Sequence, residues 1–268
     1  MRRLPPFAAA LASCLVAAAA APTASAQVAP ATGLALLQAM HDAYGGRWYT
    51  TLTFTQQTTR HRADGSDTVS TWYETLRQSD AAGTQLRLDV GDPAEGNGVL
   101  YTADSLWAMR GGHLAVARGG GNALLPLIEG VYLQPVERTA DELKPAGIDL
   151  QRPVLTGRWN ARPVWIAGAA SATDTTSPQI WVDVERKVVV RAMLVPAPTA
   201  PLLDVRLEGL VPLAGGWLAT RCAFLVAGKV VQQEAYHDWA ANVGLAPGLF
   251  DVATWTTAPH WAAKPRGR

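Results

Sequence analysis

The sequence predicts a mainly β protein with a few helices, folded as an antiparallel half-open β-barrel of about 11–13 strands with a helical lid. Three observations carry this expectation. From residue 48 onward, apolar residues recur with period two in short runs separated by Gly, Asn and Asp turn signals. Helical spacing is confined to two stretches, 34–44 and 123–133. Apolar residues make up 49% of the chain and charged residues 17%, enough to bury a sizeable core rather than remain disordered. About a dozen twisted strands curl instead of lying flat. So few helices cannot cover both faces of such a sheet, but they can close one concave face.

At the N-terminus, Arg2 and Arg3 precede an Ala-rich apolar run, and Ala24-Ser25-Ala26 has the small-x-small form of a signal-peptidase site. The run is shorter than the ~20 residues that span a bilayer. Residues 1–26 are therefore expected to be a secretory signal peptide, cleaved near Ala26. Leu11-Ala12-Ser13-Cys14 offers a second reading, a lipoprotein box with the anchor on Cys14. Residues 27–255 are expected to form a single domain, and the Pro-, Lys- and Arg-rich stretch 256–268 a flexible tail.

A helix is expected after Thr32, its N-cap, with Leu36, Leu37, Met40 and Tyr44 on one face. Gly45 is expected to provide a left-handed C-cap, and Gly46 the reversal. In the next strand Trp48, Leu52 and Phe54 are expected to face inward, and Tyr49, Thr51, Thr53 and Thr55 outward. Asp64-Gly65 turns the chain back through 68–77, and strands follow at 84–90, 98–102, 105–110 and 113–118. The β pattern then breaks. Gly119-Gly120-Gly121-Asn122 leads into a helix over 123–133 that Pro126 and Gly130 weaken. Thr139-Ala140-Asp141-Glu142 has the form of a capping box. Strands resume at 153–158, 162–169, 179–184, 187–195, 202–210, 217–226 and 229–238, most joined by short turns, as in a meander.

Composition and motifs exclude several classes of function. With 23 basic and 22 acidic residues, the chain lacks the basic excess of a nucleic-acid binder. Cys222 is the only cysteine beyond the signal segment, so no internal disulfide is available. There is no G-x-S-x-G, H-E-x-x-H or Cys-x-x-Cys motif. His41, His61, His113, His237 and His260 are too scattered for a metal set, and His237 and Asp238 would point to opposite faces of a strand. No catalytic residue, metal or cofactor is expected. Asp183, Glu185 and Asp204 are expected on a solvated outer face. The glycine run could suggest an anion site but lacks the lysine of a phosphate loop, so it is expected to be a lead-in to the insertion.

What remains is an apolar row on many strands. Leu52, Phe54, Leu86, Leu88, Ile166, Ile180 and Val182, with Leu127 and Ile128 from the lid, are the candidate walls of a cavity for a lipid or acyl chain. The same pattern also fits a filled barrel core, and composition leaves both readings open.

The order of elements, together with LRLDVGDPAEGNGVLYTADSLWAM (86–109), IWVDVERKVVVRAML (180–194) and GLFDVATW (248–255), resembles the periplasmic outer-membrane lipoprotein-carrier (LolA-like) superfamily. That resemblance spans most of 33–255. It implies a half-open barrel with a helical lid, and an exported, non-enzymatic carrier for a lipid or lipoprotein acyl chain. An inner-membrane exporter or permease would be its partner. The alternative is an envelope interaction or stress-sensing module built on the same barrel. The stretch near 119–150 is longer than in minimal carriers, and the family's functional basic residue has no counterpart here.

Overall fold

The computed structural model describes residues 27–79, 82–102, 104–197 and 199–262. The expected signal segment 1–26, its alternative anchor Cys14, and residues 263–268 of the expected tail lie outside the described residues.

Helix α1 (Gly33–Tyr44) opens where Thr32 Oγ1 accepts the Ala35 N–H at 3.2 Å. It buries Leu36, Leu37, Met40 and Tyr44, the face that the three-and-four spacing marks. The left-handed residue at its end is Gly46 (φ +69°), whereas Gly45 has φ −41°. The turn is one residue longer than expected, and Arg47 N–H closes it on the Tyr44 carbonyl.

Thirteen strands follow among the described residues: β1 (Thr51–His61), β2 (Asp67–Ser79), β3 (Gly83–Val90), β4 (Gly98–Tyr101), β5 (Ser105–Arg110), β6 (His113–Gly119), β7 (Leu155–Trp159), β8 (Arg162–Ala167), β9 (Gln179–Asp183), β10 (Val189–Leu194), β11 (Leu203–Leu213), β12 (Gly216–Val226) and β13 (Lys229–Ala241). They make one antiparallel sheet in the order β6-β5-β4-β3-β2-β1-β13-β12-β11-β10-β9-β8-β7. Two meanders are thus joined by pairing the first strand with the last. The sheet has free edges at β6 and β7 and is not closed: a half-open barrel.

The insertion between β6 and β7 forms the lid. It runs through a π-helical turn, Pro126–Gly130, into α2 (Val131–Leu133) and α3 (Val136–Leu143). Pro126 has no N–H to give a regular helix, and the widened turn absorbs it. The expected capping box does not form. α3 starts after Pro135, whose backbone lies in the extended region, so Thr139 falls inside the helix. There its hydroxyl oxygen accepts from Gln134 Nε2 at 3.2 Å.

The main core lies between lid and sheet. It joins Leu36, Leu37 and Met40 of α1 to Leu125, Leu127 and Val131 of the lid and to Leu52, Ile180 and Val182 of the sheet. A smaller core lies on the outer side of β3–β5, where Leu249, Phe250 and Trp255 cover Leu100 and Met109. Residues 256–262, expected to fray, continue this covering segment: Trp261 Nε1 donates to Thr75 Oγ1 at 2.8 Å, and His260 Nε2 lies 3.1 Å from Asp89 Oδ2. Ring contacts among Tyr73, His260 and Trp261 accompany these bonds.

Gly98 is where this segment comes closest to the sheet. A Cβ there would lie 2.1 Å from the Leu88 carbonyl oxygen and 2.8 Å from Trp255 Cζ2. Gly98→Ala is expected to cost about 1–3 kcal/mol through the shifts it forces. A thermal melt that leaves the midpoint unchanged would contradict that packing.

Candidate functional site

The concave face encloses a cavity of about 420 Å³ beneath the lid. Its walls follow from strand alternation. On β1 the inward positions are Leu52, Phe54, Gln56, Thr58 and Arg60; on β2 they are Trp72, Glu74 and Leu76; on β3, Leu86 and Leu88. Antiparallel register aligns them into rows that cross the sheet. Leu52, Leu76, Leu86 and Tyr101 form one row, and Phe54, Glu74 and Leu88 the next. Beyond these come Trp72 and Tyr236 flanking Gln56, then Glu234 between Thr58 and Cys222, then Arg60 beside Gln232 and Phe224. The walls therefore grow more polar along β1, from Leu52 to Arg60.

Five of the nine sequence-nominated residues, Leu52, Phe54, Leu86, Leu88 and Ile128, line the cavity. Leu127, Ile180 and Val182 do not. They are fully buried in the main core with the α1 side chains, where the lid and helix fill the space. Ile166 lies on the opposite face of the sheet, paired with Trp181 and packed with Val164 and Val190. In β8 it is Trp165 and Ala167 that join the main core, a phase that two apolar faces conceal from a period-two reading. Tyr49, expected to face outward, lines the cavity with Trp48. Regular pairing begins only at Thr51, so alternation does not govern residues 48–50.

The acidic residues depart furthest from expectation. Asp183 is not solvated: its carboxylate accepts from Arg162 Nε at 2.6 Å and from the Glu185 and Arg186 N–H groups at 3.0 and 2.9 Å, closing the β9–β10 turn. Burial works against its ionised form, but the Arg162 hydrogen bond and the Arg186 N–H outweigh it and hold the carboxyl below its ordinary range. Asp204 is likewise held between Arg191 Nε at 2.7 Å and Arg206 Nη2 at 2.9 Å.

Three acids that sequence patterning does not single out stand on the cavity wall. Glu129 of the lid accepts from Trp48 Nε1 at 2.7 Å and lies 2.9 Å from the Tyr49 hydroxyl. Burial pushes it up to about 8 despite those bonds. Glu234 accepts from Tyr236 OH and Gln232 Nε2, both at 2.6 Å, and burial still raises it. Glu74 has no hydrogen-bond partner among the described residues, and burial, then the Glu234 charge, raises it well above the ordinary range. Cys222 is raised in the same way, by burial first and Glu234 second. The available signal is the alternation Trp72-x-Glu74-x-Leu76 and Gln232-x-Glu234-x-Tyr236: a carboxyl in phase with buried residues.

The lid is tied down at the deep end. Trp48 stacks on Tyr132 with ring centroids 3.8 Å apart, and Tyr44 meets both rings edge-on at 4.8 and 5.3 Å. Arg60 and Arg118, both exposed, mark where the cavity meets solvent. The site is a greasy pocket with a hydrogen-bonding wall, suited to holding an amphiphile.

No family model matches the chain, and no curated protein matches it. Solved structures do. A domain from Vibrio parahaemolyticus, described as an outer membrane lipoprotein-sorting protein domain, superposes with TM-score 0.59 at 14% identity. The match covers 84% of this chain and 98% of that one. A DUF1329 family protein from Desulfovibrio piger superposes with TM-score 0.55 at 12% identity, covering 82% of this chain and 95% of the other. These likenesses show the fold alone: a half-open barrel with a helical lid, shared with the two structures.

Proposed function

We propose that the protein is an exported periplasmic carrier that holds the acyl chain of a lipid or lipoprotein in its barrel cavity, without catalysing a reaction. The observation that carries this reading is the cavity of about 420 Å³ between lid and concave face, walled on one side by Leu52, Phe54, Leu86 and Leu88 and roofed by Ile128. Each methylene buried there contributes about 0.8 kcal/mol. The π-helical turn is the part of the lid that yields to admit the chain, because widened turns are less regular than the α-helix around them. The fold of the lipoprotein-sorting domain fits such a cargo. Delivery from an inner-membrane exporter or permease would supply it.

Protein purified from the periplasm is expected to carry an acyl-containing adduct in native mass spectrometry, or to take one up after delipidation. Repeated preparations that neither contain nor load any acyl ligand would overturn the reading.

A second reading, an envelope interaction module, draws support from β6. All seven of its residues are exposed, Leu114 and Val116 among them, on a free sheet edge. Such an edge can add a strand from a partner. Stoichiometric capture of one envelope protein with no lipid present, lost on Val116→Lys, would favour it.

A further inference from the structure

We propose that Glu74 sets the ligand class of this cavity: it hydrogen-bonds the ester or amide linkage of an acylated ligand and turns away free fatty-acid anions. This rests on the carrier reading and specifies which acyl compounds fit.

Glu74 is only 7% exposed and stands on the cavity wall. Its strand neighbours in the row are Phe54 and Leu88, so no polar side chain adjoins it across either pairing. It differs in this from the other two wall acids. Glu234 has its oxygens engaged by Gln232 and Tyr236, and Glu129 by Trp48 and Tyr49. The Glu74 carboxyl has no partner among the described residues and opens onto the cavity, where a ligand can take up its hydrogen-bonding capacity.

Position gives the linkage. The row on one side of Glu74 is wholly apolar apart from the Tyr101 hydroxyl, and the rows on the other side carry Tyr236, Glu234 and Arg60. Glu74 thus marks the boundary between the part of the cavity fit for a tail and the part fit for a polar group. A chain lying among Leu52, Leu76 and Leu86 brings its first polar atoms to Glu74.

The titratable groups around it oppose a negative charge. Glu234 lies two strands over on β13 with Tyr236 beside it, Cys222 on β12 next to Glu234, Tyr101 one row away, and Arg60 and Arg118 at the solvent edge. Arg60 Nε already donates to Gln232 Oε1 at 3.0 Å. Its guanidinium lies over the Trp72 ring, 5.1 Å from the centroid, and is not paired with Glu74. Burial and then the Glu234 charge oppose ionisation of Glu74 and raise it well above the ordinary carboxyl range, which favours the protonated form. It then presents an O–H donor, which a carbonyl oxygen accepts. A ligand carboxylate in that place would face Glu74 and Glu234, with Arg60 already engaged by Gln232 and Trp72.

The test is displacement of a fluorescent apolar probe, N-phenylnaphthylamine, at pH 7 by monolaurin, laurate and dodecylamine, which share a twelve-carbon chain. Monolaurin is expected to bind at least about tenfold more tightly than laurate, the scale of one buried hydrogen bond. Glu74→Leu should weaken monolaurin about tenfold and leave laurate no weaker. Glu74→Gln, which keeps an N–H donor, should stay within about threefold of the parent. Equal binding of monolaurin and laurate would overturn the proposal, as would Glu74-dependent preference for dodecylamine. So would monolaurin binding that Glu74→Leu does not change, or laurate binding lost on Arg60→Gln. Tight probe and chain binding with no discrimination among head groups would sink this inference alone. Absence of binding by the probe and all three lipids would sink the carrier reading with it.

Discussion

An Arg87→Met chain is expected to lose about 3–5 kcal/mol of unfolding free energy, because the change strands a buried carboxylate. The Arg87 and Asp89 side chains are 1% and 0% exposed on the outer side of β3. Arg87 Nε donates to Asp89 Oδ2 at 2.7 Å and Nη2 to Oδ1 at 2.8 Å, a two-pronged pair. The remaining donors reach the Leu249 and Trp255 carbonyls, each at 2.8 Å, and the guanidinium lies 3.8 Å over the Trp255 ring. One side chain therefore fastens the C-terminal segment to the strand whose inner side carries Leu86 and Leu88. Without it Asp89 keeps only His260, and two carbonyls lose their donors. The double variant Arg87→Met/Asp89→Leu should recover a good part of the loss, since removing both charges avoids an unpaired one. Denaturant titrations decide it. Equal losses in single and double variants would contradict the explanation.

Stability is expected to fall as pH rises from about 4.5 to about 8, and Glu129→Gln to remove much of that slope. Glu129 is pushed up to about 8 by burial, from an ordinary 4.5. Between these values the folded chain keeps a proton that the unfolded chain has released, so raising pH favours unfolding. The contribution is fully present below about pH 4.5 and fully lost above about pH 8. Its upper bound is about 5 kcal/mol, because each tenfold gain in proton affinity on folding is worth about 1.36 kcal/mol. Hydrogen-bond accounting agrees with the protonated form. The single Tyr49 hydroxyl hydrogen cannot serve both Glu129 Oε1 at 2.9 Å and the Trp217 carbonyl at 3.2 Å. If Glu129 donates to Tyr49, Tyr49 is free to donate to Trp217, and Trp48 still donates to the acid. Glutamine reproduces that arrangement without ionising. Glu74 and Glu234 are raised as well and act in the same direction, so the informative quantity is the difference between parent and Glu129→Gln curves. Parallel curves across this range would contradict the assignment. The loosening should begin in the lid, since Glu129 bonds it to Trp48 and Tyr49 at the start of the sheet.

Much of the barrel is legible in the sequence because its strands are local. Each hairpin carries its own turn signal, and period-two alternation puts Leu52, Phe54, Leu86 and Leu88 on one face. Pairing of β1 with β13 is not local, and nothing near Thr51 or Ala241 announces it; it follows only from curling the sheet. Alternation also loses its meaning where both faces are apolar. In β8, Ile166 and Trp165 are equally greasy, and only the packing of α1 and the lid separates them. Burial of acids is hidden because a charged residue reads as solvated by default. Asp89 pairs with Arg87 two residues away on its own strand, and Asp183 and Asp204 pair with Arg162 and Arg191 on neighbouring strands, while Glu74, Glu129 and Glu234 are buried around a cavity whose existence the sequence leaves open. The cavity itself is a remainder, the space that lid and side chains do not fill, and volume left over has no residue of its own to mark it.

The most direct test of the central claim is affinity as a function of chain length, measured by probe displacement with monoacylglycerols of increasing length. A chain buried in the cavity predicts affinity rising about fourfold per methylene, from about 0.8 kcal/mol each, to a plateau once the space of about 420 Å³ is filled. A large aromatic side chain at Ala219 on the wall should bring the plateau to shorter chains. Affinity that is flat with chain length, or that climbs without limit and ignores the Ala219 substitution, would mean that the alkyl chain is not held inside the barrel.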